Sequence, residues 1–588
     1  MISRFFVRSF LFALLSVGGF VAYANTLIWN SGAYTGDWGD PSSWQSGAVP
    51  EIGDEAFVRY SGNAKVTDER QVGGLLIGCD ASQQNAMGTV TILEGGNLEV
   101  SKVFHMGGRI TEGSNTGKGI LNIDGGTFSV NVNSTSFVLG VTEGSTAEIN
   151  VNSGELNLNT NGDLVFGGNG GWDNLTYMQQ GGIANIGSLN AITHINAAVG
   201  IIGGTMNVSS RDISWINLGD NVSTSFTVSG GNLNFSTPLY SYDSNILLSD
   251  NGTISFSGNN ATLGESNDSR TTITIMGGVF NASPATEIQA ANATVNISGG
   301  RAIFSTERVM FGAKQGNYFQ MNVSGGDVIL GGENTAYIYF GTRTATYTGG
   351  KVEFVQTGGN ITASTIIGSG NGLFFNSVNV GTTADTVATF KFLGGTFSYT
   401  AGSAAIYLGD SGTSHKTSTQ LIFGKSANVN FDTEMVWRKD AQIVFALDGV
   451  QFDSDKNSDY NPFNLRTLTL QPGDGGIIEG QIYFILDAAG LGSQENLVSG
   501  DVVQIALMNF TSGSTTHPLA SSINALIANS KIQNVNSSLW EDVYLSYDYP
   551  AGTIFFNGTY IPEPSDFAAA FGILAFFAAA FRAYKKGR

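Results

Sequence analysis

The chain has 588 residues, enough for several domains or one extended array. Glycine supplies 79 of them and charged residues only 13%, yet 41% are hydrophobic and ten are proline, which excludes a disordered chain and a proline-rich linker alike. The net charge of −20 excludes nucleic acid as a partner, because phosphate recognition needs a basic face; with the two basic ends set aside, the body carries −24.

Residues 1–24 read as an export signal. Two arginines, Arg4 and Arg8, precede an apolar run from about Phe10 to Val21, and the run closes on Ala22-Tyr23-Ala24. That small-x-small pattern predicts cleavage before Asn25. An uncleaved membrane anchor is the alternative, but the apolar core is short and holds Gly18-Gly19. Residues 25–72 are expected to form an N-terminal cap, with Trp29, Trp38 and Trp44 covering the first turn of a solenoid. A tryptophan platform for stacking on a glycan is the competing reading. The single cysteine, Cys79, leaves an exported fold without a disulfide; it follows Leu-Leu-Ile-Gly and reads as a buried apolar residue rather than a nucleophile.

Over residues 73–425 one element recurs: an alternating strand, a Gly-Gly turn and a second alternating strand. Copies include TVTILEGGNLEV, GILNIDGGTFSV, FTVSGGNLNF and VNISGGRAIF. The second glycines are Gly96, Gly126, Gly154, Gly182, Gly204, Gly231, Gly278, Gly300, Gly326, Gly350 and Gly395, mostly about 22 to 30 residues apart, with a weaker copy, NGTISF, at Asn251. Between the turns lies a short apolar strand ending in glycine, as in FVLG, LVFG, INLG, VMFG, IYFG and IYLG. Period-two alternation puts one side-chain set inward and the other outward. A three-stranded unit of this length cannot bury its own apolar face, so successive units must stack. The expected fold is all-β, a right-handed parallel β-helix of roughly a dozen coils at about 4.8 Å per coil. Asn and Thr at strand ends are expected to form ladders between coils. A β-propeller needs longer repeats.

From about Lys425 the Gly-Gly rhythm stops. Residues 426–561 are expected to form a C-terminal β domain, either a sandwich or a flattened continuation that closes the helix. LASSINALIANSKI reads as a short helix within it.

The last segment, 562–588, has three parts. Pro562-Glu563-Pro564-Ser565 comes first, then Phe567–Phe581 without a charge, then a basic tail with Arg582, Lys585, Lys586 and Arg588. As a helix the apolar run is about 22 Å long, and basic residues snorkelling at the boundary extend its reach across a membrane. Basic residues on that side predict a cytoplasmic tail, with the body on the far side. The order and position of these parts resemble the PEP-CTERM sorting signal of Gram-negative bacteria. That resemblance implies processing by an exosortase-type enzyme near the motif, after transient anchoring by a single C-terminal transmembrane helix, and delivery to the cell surface or extracellular polymer. The repeats look like the PEP-CTERM-associated and autotransporter-associated β-strand repeats over about 73–425. No twelve-strand autotransporter barrel follows them, which favours the sorting route.

Sites for chemistry are sparse. The four histidines, His105, His194, His415 and His517, stand apart in sequence, and no zinc, nucleotide or GxSxG signature occurs, so neither cofactor nor metal is expected. Parallel β-helices can host polysaccharide lyases and glycosidases, which need converging carboxylates. The acidic residues that test this are Asp163, Asp173, Asp220, Asp250, Glu265 and Asp268; their near-repetition as LGD, LSD and LGE reads as a structural corner. GGNGGWD and PGDGG read as turns, lacking the spacing of calcium-binding Gly/Asp repeats. The expectation is a non-enzymatic, surface-sorted structural or adhesive protein. The runner-up is a β-helix that binds or cleaves extracellular polysaccharide.

Overall fold

The computed structural model describes residues 25–561, except 31–33, 80–85, 109–116, 133–136, 140–143, 168–173, 195–196, 217–223, 265–269, 313–317, 342–349, 367–370, 377–385, 401–403, 410–416, 472–481, 490, 493 and 512–519, together with 572–579 and 582. The signal segment 1–24, the motif Pro562-Glu563-Pro564-Ser565 and the tail residues Lys585, Lys586 and Arg588 lie outside the described residues. The chain forms two compact units, Met1–Met310 and Phe311–Arg588. Each contains stacked parallel coils of a β-helix.

A coil has three strands, and each pairs in parallel with its equivalent in the next coil. In the first unit the first strands stack as Asn174–Gln179, Ala197–Ile201, Thr224–Val228, Ser244–Leu248, Thr271–Ile275 and Ala293–Ile297. The second strands stack as Ile183–Ser188, Thr205–Ser210, Asn232–Phe235, Thr253–Phe256, Val279–Ala282 and Arg301–Phe304. The third strands, Leu164–Phe166, Ala191–His194, Ile213–Ile216, Leu239–Ser241, Asn260–Leu263 and Glu287–Ala290, do the same. The coil holding Thr253–Phe256 is the weak copy seen at Asn251.

Alternation decides what lies inside. Ile149, Val151, Leu156 and Leu158 are fully buried, and the residues between them face outward. Among the third strands, Leu164–Phe166 is buried at every position, so both of its faces are covered and it reads as a continuous apolar run, whereas Glu287–Ala290 keeps the alternation.

The Gly-Gly corner between first and second strands is shaped by the coil beneath it. A Cβ on Gly182 would lie 2.3 Å from the Gly154 carbonyl oxygen, and one on Gly204 would lie 2.4 Å from that of Gly182. Gly154, Gly182 and Gly204 also have φ of 88°, 67° and 74°. Backbone conformation and contact between coils both therefore require glycine. Gly350 does not occupy this corner. It immediately precedes the first strand Lys351–Gln356, and the corner of that coil is Gly358-Gly359, with φ of 70° at Gly359. Two adjacent Gly-Gly pairs look alike as sequence, but only one lies between two strands of the same coil.

Two corners carry an additional device. Gln179 and Gln356, each the last residue of a first strand, are 0% and 1% exposed. The Gln179 side-chain amide donates to the carbonyls of Gly182 at 3.1 Å and Thr205 at 3.0 Å. The Gln356 amide donates to those of Gly359 at 3.3 Å and Thr396 at 2.9 Å. Each amide thus joins its own corner to the following coil and satisfies carbonyls that burial would otherwise leave unpaired.

In the second unit parallel pairing runs well past residue 425. Thr417–Arg438 supplies all three strands of one coil without a break, pairing with 386–400, Ala405–Leu408, Ala441–Ala446 and Phe463–Gln471. Ile482–Asp487 and Lys531–Gln533 continue the first-strand stack. Near the end the strand pairing turns antiparallel, where Thr553–Tyr560 lies between Val502–Phe510 and Trp540–Asp548. Ala520–Ala528 is helical and buries Ile523 and Leu526. The interior of this unit is rich in phenylalanine: Phe423 stacks on Phe392 at 5.4 Å and on Phe463 at 4.4 Å between ring centroids.

The tryptophans of the N-terminal segment are interior. Trp29, Trp38 and Trp44 are at most 2% exposed, and Trp44 meets each of the other two edge-on at 4.9 Å. Rings with no free face cannot form a glycan-stacking platform, so that alternative is set aside. Among the described residues no helix is long and apolar enough to cross a membrane. The helix at 572–579 covers part of the expected span Phe567–Phe581, whose other residues lie outside the described ones.

Candidate functional site

The acidic residues singled out from the sequence do not form a focus. Asp163 follows a second strand, and its Oδ1 accepts the Ala191 N–H of the next coil at 3.2 Å. Asp250 sits on the other corner, between first and second strands, with φ of 49°. Asp173, Asp220, Glu265 and Asp268 lie outside the described residues, as do His415, His517 and the PGDGG turn. Most of GGNGGWD does too. Among the described residues no group of three or more His, Cys, Asp or Glu is placed to hold a metal ion. Cys79 is 1% exposed and packs with Phe57 and Leu76, in line with its reading as a small apolar residue.

The outer surface is instead organised by amides. On the second-strand face of the first unit, Asn185 donates to Asn157 at 2.9 Å, Asn207 to Asn185 at 3.0 Å and Asn234 to Asn207 at 3.0 Å. The register places these residues directly above one another. This is the expected Asn ladder, four coils long. Asn207, in its middle, donates one hydrogen to the coil below and accepts one from above, which leaves its second N–H for solvent or a ligand.

A parallel row two residues along contains a gap. Its members in register are Asn131, Asn159, Gly187 and Ser209. Gly187 has no side chain where its neighbours do, and a Cβ there would come within 2.6 Å of Asn159 Oδ1. The gap opens a cleft of about 370 Å³, floored by Thr160 and Ser188 and bordered by the exposed Leu189. Ser188 Oγ is held by the Gly162 carbonyl at 2.7 Å, so the floor is fixed. No charged residue lines the cleft. It offers amide and hydroxyl donors and acceptors beside the apolar side chains of Val132 and Leu189, the groups that bind a neutral polyhydroxylated ligand. Its lining contains no carboxylate, histidine or cysteine. The sequence signal was present but unread: the outward Asn pattern of INVNSGELNLNT gives way to glycine in IANIGS.

The C-terminal segment is the second candidate. Ile561 N–H donates to the Leu539 carbonyl at 2.7 Å, and Tyr560 N–H to that of Asp501 at 2.8 Å. The body is thus bonded up to the residue before Pro562. Beyond it, all eight residues of the helix 572–579 are exposed, with Ile573 58%, Leu574 64%, Phe576 73% and Phe577 67% exposed. Arg582 is exposed as well. At the other end, Asn25 is held by the first strand pairing and by Asp54. Comparison with protein-family models, curated proteins and solved structures finds no match to this chain.

Proposed function

We propose that this chain is an exported β-helical protein, sorted by its C-terminal segment to the cell surface or extracellular matrix, where its role is structural or adhesive rather than catalytic. The observation that carries this reading is the helix at 572–579, which exposes every residue while following closely on a body that is hydrogen-bonded as far as Ile561. An apolar helix with no protein surface to cover it finds its burial in lipid, and four large side chains left in water cost several kcal/mol by the area rule of about 25 cal/mol per Å². In this reading the segment anchors the chain transiently in the membrane, the Pro-Glu-Pro motif is presented to an exosortase-type enzyme, and the signal at 1–24 has already been removed before Asn25. The test is fractionation of cells carrying Glu563→Ala. The variant is expected to stay membrane-bound and about 27 residues longer; unchanged processing and location would remove the sorting reading.

The cleft around Gly187 favours one form of the second reading. Cleaving a glycosidic bond needs paired carboxyl groups, whereas an uncharged amide-lined cleft is suited to holding a neutral glycan. Extracellular polysaccharide is therefore the proposed binding partner of the adhesive surface.

A further inference from the structure

The first coil contains a buried carboxylate whose partner is the residue that export would make the chain terminus. Asp54 is 7% exposed. Its Oδ2 accepts the Glu51 N–H at 3.0 Å, and its Oδ1 accepts the side-chain amide of Asn25 at 3.2 Å. Among the described residues no basic side chain pairs with it. Thr26–Ile28 runs parallel to Glu55–Val58 with Thr26 opposite Glu55, and the Glu55 N–H donates to the Asn25 carbonyl at 3.0 Å. Asn25 is thus next in the same register, opposite Asp54, and its own side-chain amide already rests on the carboxylate.

The geometry points to Asp54 as the binding site for the new amino terminus, so that removal of the signal completes the first coil. This inference rests on cleavage before Asn25. Hydrolysis of the Ala24–Asn25 bond adds water across it: oxygen stays on the Ala24 carboxylate, and the Asn25 nitrogen leaves as an ammonium. A neutral amide that could donate one hydrogen becomes a cation with three, beside a carboxylate already shielded from solvent. The surrounding charges reinforce it. Glu51 and Glu55 add negative charge from the same segment. Two basic groups of the cap are engaged elsewhere: Arg59 lies over the rings of Phe57 and Tyr60, and Arg70 bonds Asp68. The precursor, with a neutral nitrogen at Asn25, leaves the strand that leads into Trp29 less firmly held. The processed chain locks it, and a fold that tightens only after processing is compatible with export in an extended form.

The test compares hydrogen exchange over residues 25–30 in the processed chain and in the same chain acetylated at its amino terminus, with and without Asp54→Asn. At pH 7 the free-amine chain is expected to exchange roughly tenfold more slowly there, the size of effect a charge-assisted bond gives. Asp54→Asn is expected to remove the difference between the two chains. An amine held by a carboxylate has its pKa raised, so its stabilisation is complete below the unfolded value of about 8 and is lost as pH rises through the folded one. The difference should therefore shrink at high pH. Equal exchange of the free and acetylated chains at pH 7, or a difference that survives Asp54→Asn, overturns the lock. Amino-terminal sequencing of the exported chain is the separate control: a start other than Asn25 overturns the cleavage reading and the lock with it.

Discussion

Single residues in this protein are constrained mainly by the coil below them. Gly182 shows the effect at its strongest, because its positive φ and the carbonyl 2.3 Å from its missing Cβ act together. Gly500 provides the comparison: its φ is 89°, but nothing lies within 4 Å of where a Cβ would stand. Gly182→Ala is expected to cost about 2–4 kcal/mol, combining backbone strain with overpacking, whereas Gly500→Ala should cost only about 1–2 kcal/mol. Urea unfolding of the two variants separates the terms, and equal losses would mean that the contact between coils contributes nothing. The glycines were legible in sequence as corners. That they form a column, and that Gly359 rather than Gly350 belongs to it, was not, because the reason is a contact with a residue some thirty positions away. Gln179 and Gln356 were not legible at all. A glutamine before Gly-Gly looks like surface until the chain is seen to fold it inward.

At the scale of the strand, outward residues work as ladders across coils. Asn150 illustrates this, donating both to Asn122 of the preceding coil at 2.9 Å and to Glu148 of its own strand at 3.0 Å. That amide, followed by Lys118 at 3.1 Å, holds the Glu148 carboxyl below the usual glutamate range, against the opposing effect of burial. A depressed carboxyl pKa contributes stability above the unfolded value of about 4.3, and that contribution is lost as pH falls through the folded value. Glu148→Gln is expected to lower the melting temperature modestly at pH 7, where the carboxylate contributes in full, and to flatten the acid limb of a plot of melting temperature against pH, so that the two curves converge at low pH. An unchanged acid limb would show that the carboxylate does not stabilise this strand. The ladder itself was foreseen from the Asn content of the strand ends. The cleft beside it required the register, since Gly187 acquires meaning only next to Asn159 and Ser209.

For the whole molecule the body and the C-terminal segment behave as separable parts. The body is bonded to Ile561, and the described helix beyond it buries nothing. A chain ending at Ile561 is therefore expected to melt at the same temperature as the full chain and to lose its affinity for lipid vesicles. A fall of several degrees in Tm would show instead that the segment packs on the body. The sequence alone determined the β-helix and its three-strand unit, because a period-two pattern repeated at short intervals leaves stacking as the way to bury the apolar face. The proposed export and sorting segments are likewise contiguous at the ends, so reading them needs no partner elsewhere in the chain. Only the tertiary structure decided which glycines stack, which amides join the coils, that Trp29, Trp38 and Trp44 turn inward, and that parallel pairing persists beyond residue 425. Each of those depends on the register between coils, and register is a relation between distant residues that local pattern does not encode.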